Sequence, residues 1–288
     1  MAGMGELEAE PSVKERTWSA LASLDDARPA GKAAFNLAGI FQKLRNKSLK
    51  QIVAIPRVAM SRARGILYSQ PLPPPSQFAP FDQVLSRSFR RTDISDHLVT
   101  LFVEALEVRP ELIVELGVRG GESTYVLERV AEHFGSKLVS VDIADCSRVS
   151  AYKHWFFVKS DDVVFADNFP VWCAEHGINP AVDVLFIDTS HELEHTRREI
   201  VSWFPFLSDR SKVFFHDTNT QEVYVRRDGS VEFGIDYHRG VVAAIEERLG
   251  RKIDETRDFI ASTKDWIIKH HACSSGFTIL ERIPRKTS

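Results

Sequence analysis

The chain has 288 residues, 43% of them apolar, enough for a substantial core, so a soluble globular protein of one large domain, or one domain with an appended segment, is expected. A formal net charge of −3 gives no global pull toward nucleic acid or membrane. Cys146, Cys173 and Cys273 are widely spaced and form no C-x-x-C pair, which argues against a disulfide framework and a zinc site. No apolar run approaches the ~18 residues of a membrane span, and the acidic start of the chain lacks the order of a signal peptide. A cytoplasmic protein with free thiols is expected.

Residues 1–30 are acidic and Ala-rich, with disorder or one loose helix around Val13–Leu24. Residues 31–68 are basic, and Leu37, Ile40, Phe41 and Leu44 fall on one helical face. Such a basic amphipathic helix packs on its own domain, touches an anionic membrane peripherally, covers a cleft or joins two subunits of a homo-oligomer. Pro56 should break or kink it. The proline-rich run Pro71–Pro75 is a stiff connector, which divides the chain into 1–30, a helical extension and linker over 31–75, and a main domain over 76–288.

Thr92-Asp93-Ile94-Ser95 signals a helix start, followed by the stripe Leu98, Leu101, Phe102, Ala105 and Leu106. An apolar strand then runs from Leu112 to Leu116 into a turn with Gly117, Gly120 and Gly121. A helix follows, which Ser123 or Thr124 can cap and Gly135 stops. A second strand over 138–141 ends in Asp142. Glycines at a helix N-terminus let a ligand approach the backbone, and a carboxylate at the next strand tip accepts from ribose hydroxyls. An adenosine-type ligand is implied. The turn reads Gly117-Val118-Arg119-Gly120-Gly121, not G-x-G-x-x-G, and this disfavours NAD. Here the sequence resembles the first motif of class I S-adenosylmethionine-dependent methyltransferases. In that motif an acidic residue two positions before the first glycine, Glu115 here, opens the loop around the methionine moiety. The resemblance implies a Rossmann-like α/β fold with a mostly parallel seven-stranded sheet. It also implies a cofactor set of Glu115, Gly117, Arg119, Gly120, Gly121, Ser123 and Asp142.

Further strands are expected over 155–159, 182–187 and 213–215, with helices over 192–203 and 241–249. An inserted hairpin turns at Asp228-Gly229, and a terminal hairpin joins 266–271 to 277–282. Ser160 and Asp161 follow the third strand and lie beside the adenine in the family's arrangement, although paired acids are also common in surface loops. Asp188 and Asp217 end the fourth and fifth strands, and two carboxylates on one rim can hold a hard divalent cation. His191 follows Asp188 by three residues. Taken singly, Asp188 could cap a helix and His216 could be a satisfied core histidine. Tyr237, His238 and Arg239 are candidate acceptor contacts.

From about Asp93 to Arg282 the chain resembles the metal-dependent sugar O-methyltransferases of macrolide and glycolipid pathways. The related cephalosporin-hydroxylase-like and rhamnosyl methyltransferase group shares the D-x-x-H and later H-D motifs. The resemblance implies magnesium held by Asp188 and Asp217, His191 as base, and a sugar or glycoside as acceptor. Several relatives carry two acids where this chain has His216-Asp217; a His ligand makes manganese more plausible. An oxygenase component of the hydroxylase-like type, or a phenol O-methyltransferase, are the alternatives. The latter usually places a lysine where this chain has Thr189-Ser190-His191.

Overall fold

A computed structural model describes residues 47–67, 71–234 and 239–284. The helices expected over Val13–Leu24 and around Leu37–Leu44, and the pair Tyr237 and His238, lie outside the described residues. The described residues from Ser48 onward belong to one compact unit.

In chain order the described elements begin with helices α1 (Leu49–Leu67), α2 (Ala79–Ser88) and α3 (Leu98–Val108). Strands and helices then alternate: β1 (Leu112–Leu116), α4 (Glu122–Phe134), β2 (Lys137–Asp142), β3 (Trp155–Lys159), α5 (Asp162–Glu175), β4 (Val182–Ile187) and α6 (Leu193–Trp203). The rest comprises β5 (Leu207–His216), β6 (Val223–Val225), β7 (Val231–Phe233), α7 (Gly240–Leu249), β8 (Phe259–Ser262), β9 (Trp266–His271) and β10 (Phe277–Arg282).

The large sheet runs β3-β2-β1-β4-β5-β10-β9-β8. Its first five strands are parallel and its last three antiparallel. Every residue of β1 is buried, because helices cover both faces of a parallel sheet. Leu112, Val114 and Leu116 pack with Phe169 of α5, Trp203 of α6 and Ile245 of α7. Ile113 points the other way, into a second core with Leu101 of α3 and Leu127 of α4. The chain leaves β1 toward β2 on one side and returns to β4 on the other, so the strand order reverses between β1 and β4. Open α/β sheets bind ligands in the crevice outside such a reversal.

The structure differs from the expected elements in several places. The sheet has eight strands where seven were expected, since β8 is a four-residue edge strand with no fully buried position. Strand β5 begins at Leu207, well before Val213, where it pairs with Val182 of β4 ahead of a register shift, and its buried Lys212 pairs with Glu104 (2.5 Å) and Glu107 (2.7 Å) of α3. Helices α2 and α5 were not among the expected elements; α5 is apolar around much of its circumference and contains Pro170. The helix expected from Thr92 starts at Leu98. Arg226 of the inserted hairpin donates to the Thr92 carbonyl (2.9 Å) and to Ser95 Oγ (2.6 Å), and so holds the preceding turn open.

Helix α1 continues through Pro56, and it belongs to the compact unit that starts at Ser48. Its buried Gln51, Ala54 and Val58 face inward. Gln51 Nε2 donates to the Glu222 and Gly234 carbonyls (3.3 and 3.4 Å), and Ser61 Oγ accepts from the Val231 amide (3.1 Å). The hairpin β6–β7 itself is antiparallel, as its Asp228-Gly229 turn implies. No helix among the described residues is long and apolar enough to cross a membrane.

Candidate active site

The carboxyl end of β1 opens directly into the glycine turn. Gly117 has φ +89°, and a Cβ there would collide with the Asp188 carbonyl oxygen after β4. The Asp188 amide in turn donates to the Leu116 carbonyl (2.9 Å). Gly121, the N-cap of α4, has φ +78° and no room for a Cβ beside Val149. Two strand ends can therefore meet only because one of the contacting residues is glycine.

Asp142 at the tip of β2 holds this turn from below. Its Oδ2 accepts from the Val118 (2.8 Å) and Arg119 (3.0 Å) amides and its Oδ1 from the Ala144 amide (2.7 Å). Burial raises its carboxyl, but those amides outweigh it and hold the group below the usual carboxylate range. Glu115 is fully buried and accepts from Ser123 Oγ (2.6 Å), Thr124 Oγ1 (2.9 Å) and Ser140 Oγ (2.6 Å). Burial pushes its carboxyl up to about 7 against those three hydroxyls. Ser123 and Thr124 thus leave the helix cap to Gly121 and tie α4 to β1 instead. Arg119 has φ +47° and its exposed guanidinium pairs with Asp93. A Cβ on Gly120 would meet open space.

After β3, Ser160 Oγ donates to the Asp161 carbonyl (2.9 Å), and Asp161 caps α5 by accepting from the Val164 amide (2.9 Å). Ile143, 76% exposed, stands directly after Asp142. A large apolar side chain left in water at a strand tip is a signal the sequence reading passed over.

The second half of the rim is a cluster of two carboxylates and two imidazoles. His191 Nε2 lies 3.2 Å from Asp188 Oδ1 and 2.9 Å from Asp217 Oδ2. His216 Nδ1 lies 3.3 and 3.4 Å from the same two oxygens. Backbone strain shapes the cluster: His191 and Asp217 have φ +58° and +53°, a region that non-glycine residues seldom occupy and that gathers at functional sites. Gly240 completes the fit, because a Cβ at that position would overlap the His191 carbonyl. Burial lowers the His191 imidazole, but Asp188 and Asp217 overcome it and push it up to about 10. Burial likewise opposes, and both carboxylates enforce, a charged His216. Burial raises the two aspartates, yet the imidazoles hold both below their ordinary values.

His216 is 1% exposed, and its Nδ1 faces only the Asp188 and Asp217 oxygens, at 3.3 and 3.4 Å and without well-aligned hydrogen-bond geometry. Mixed oxygen and imidazole donors converging on one point suit a divalent cation, and Asp188, His191 and Asp217 offer ligand atoms within 4.8 Å of one another. Behind this cluster His97, fully buried and absent from the sequence-derived set, stacks on Phe277 and meets His216 edge-on at 5.8 Å. Arg239, expected at the acceptor, pairs instead with Glu255 and Glu246.

Residues 114–218, just over a third of the chain, match a family model described as a methyltransferase domain. No curated protein matches the chain. Among solved structures, an O-methyltransferase from Bacillus cereus in complex with SAH is 12% identical, with a TM-score of 0.44 over 79% of this chain and 99% of that one. MycE methyltransferase from the mycinamycin biosynthetic pathway, in complex with Mg and SAH, is 16% identical, with a TM-score of 0.44 over 73% of this chain and 56% of that one. CalS11, a TDP-rhamnose 3'-O-methyltransferase of calicheamicin biosynthesis, is 16% identical, with a TM-score of 0.43 over 76% and 91%. The matched segment spans the glycine turn, Asp142 and the whole Asp188–Asp217 cluster.

Proposed function

We propose that the protein transfers a methyl group from S-adenosylmethionine to a hydroxyl of a sugar or glycosylated acceptor, with a divalent cation, magnesium or manganese, at the Asp188–Asp217 cluster. The observation that carries this reading is the convergence of both carboxylates and both imidazoles at 2.9–3.4 Å, at the carboxyl ends of β4 and β5 beside the glycine turn. Asp188, Asp217 and His216, whose Nδ1 faces both carboxylates, would hold the cation. Bound there, it supplies positive charge that lowers the pKa of an alcohol, which barely ionises on its own.

His191 is the more accessible imidazole, with 20% of its side chain exposed against 1% for His216. Once a cation offsets the two carboxylates, His191 loses the reason for its raised pKa. Its Nε2 is then the atom that takes the acceptor's proton. On the other side of the crevice the Gly117–Gly121 turn leaves backbone open to the methionine end of the cofactor. Asp142, with Ser160 and Asp161, lines the nucleoside end. Alignment of methyl and hydroxyl across the crevice supplies the rest of the acceleration.

The test is a pair of variants. Asp188→Ala and His191→Ala should each bind S-adenosylmethionine in calorimetry as the parent does. Transfer to a panel of glycosides should fall by about 10²–10⁴-fold in the His191 variant. Undiminished turnover in either removes the assigned role. Chelator should abolish transfer, and added magnesium or manganese should restore it.

A further inference from the structure

Behind the Asp188–His191 turn lies a second acidic group that the proposed chemistry does not use. Asp162 opens α5, and His195 and Glu199 stand at i and i+4 on α6, which places them on one helix face. His195 Nε2 is 2.9 Å from Asp162 Oδ1 and 3.7 Å from Glu199 Oε1. Asp161, Asp162 and His195 offer ligand atoms within 4.8 Å of one another. Glu199 is fully buried and Asp162 is 6% exposed. One oxygen of each, Glu199 Oε2 and Asp162 Oδ2, is buried without a hydrogen-bond partner. Burial, with Asp162 alongside, pushes the Glu199 carboxyl well above its ordinary range. Buried carboxylates this close must be offset by a proton or a cation.

We propose that Asp162, His195 and Glu199, with Asp161 at the rim, form a second divalent-cation site, separate from the Asp188–Asp217 cluster. The two oxygens without a hydrogen-bond partner are the acceptors a metal would satisfy, in place of a proton held between the two carboxyls. One imidazole with carboxylates in a largely dry setting suits Zn²⁺ or Mn²⁺. Mg²⁺ sheds its water too reluctantly for such a place. His195, with 21% of its side chain exposed, leaves a path from solvent. The site joins the N-terminus of α5 to α6. Through Glu199 Oε1, which accepts from Thr189 Oγ1 at 2.5 Å, it also fixes the turn between Asp188 and His191. It is thus a positioning device for that turn. The inference does not depend on the methyltransferase reading.

The experiment uses the full chain with Asp188→Asn and Asp217→Asn, so that the first cluster is disabled. The protein is stripped with chelator, equilibrated with Zn²⁺ and then Mn²⁺, and its metal counted by inductively coupled plasma mass spectrometry. One bound equivalent is expected, and His195→Ala or Glu199→Gln added to that background should weaken it by at least about tenfold. A parallel count on the parent chain, with and without His195→Ala, covers the case in which the double variant folds poorly: two equivalents should fall to one. X-ray absorption at the zinc edge should show a nitrogen and oxygen shell. Absence of metal from the double variant together with one equivalent or none on the parent overturns the site in favour of a shared proton, as does binding that neither His195→Ala nor Glu199→Gln weakens.

Discussion

His191 carries the electrostatic tension of the site. Two carboxylates hold its imidazole charged, with the pKa pushed up to about 10, so without metal the imidazolium occupies the place a cation would take. Metal binding must release that proton. The affinity for Mn²⁺ should therefore rise with pH, by up to about tenfold per unit between about pH 6.5 and pH 8.5. Titration calorimetry at several pH values in buffers of different ionisation enthalpy reads both the affinity and the proton; a flat profile would contradict the pairing. Glu115 makes the converse case. An acid whose folded pKa is raised, here from 4.5 to about 7, contributes stability that is complete below its unfolded pKa and is lost as pH rises through the folded one. The swing is about 3 kcal/mol. Urea titrations of the parent should show that decline between about pH 4.5 and pH 7, and Glu115→Gln should flatten it. Both residues stood out in the sequence as acids and histidines at strand ends. That Glu115 spends its carboxylate on Ser123, Thr124 and Ser140 was not legible, because Ser140 arrives from a different strand.

Among the elements, the inserted hairpin does the most to organise the rim. Arg226 reaches from β6's turn to Thr92 and Ser95 and lies 3.3 Å from Asp96, with only 6% of its side chain exposed. Arg62 of α1 pairs with Glu232 of β7 at 2.6 Å, but its side chain is 60% exposed. Solvent screens the second pair and not the first. Arg226→Ala should cost about 2–3 kcal/mol, since it removes a buried guanidinium's hydrogen bonds to Thr92 and Ser95 and its pairing with the partly buried Asp96, whereas Arg62→Ala should cost under about 1 kcal/mol. Chemical denaturation of the two variants separates these values, and equal losses would show that the hairpin's burial is not what sets them. The hairpin was readable from Asp228-Gly229, a turn chemistry confined to a few residues. Helix α5 was not, because its apolar residues circle the axis and Pro170 within it reads as a helix breaker in the sequence.

At the level of the whole molecule, two cores sandwich one sheet. Phe169 and Trp203 anchor one and Phe102 and Phe214 the other, and all belong to the unit Ser48–Ser288. A chain beginning at Ser48 should therefore unfold in a single transition in urea, with circular dichroism and tryptophan fluorescence superimposed; separated transitions would show that the unit relies on residues before it. The sequence by itself determined the alternation of strand and helix, the glycine turn and the acids at the ends of β2, β4 and β5. These are local patterns, and in a parallel sheet the strand direction alone sends their ends to one rim. Tertiary structure alone decided that β1 lies between β2 and β4, that His191 and His216 meet the same two carboxylates, that α1 docks on the hairpin, and that an eighth strand closes the edge. Those outcomes depend on strand register and packing between residues far apart in the chain, which no local window of sequence contains.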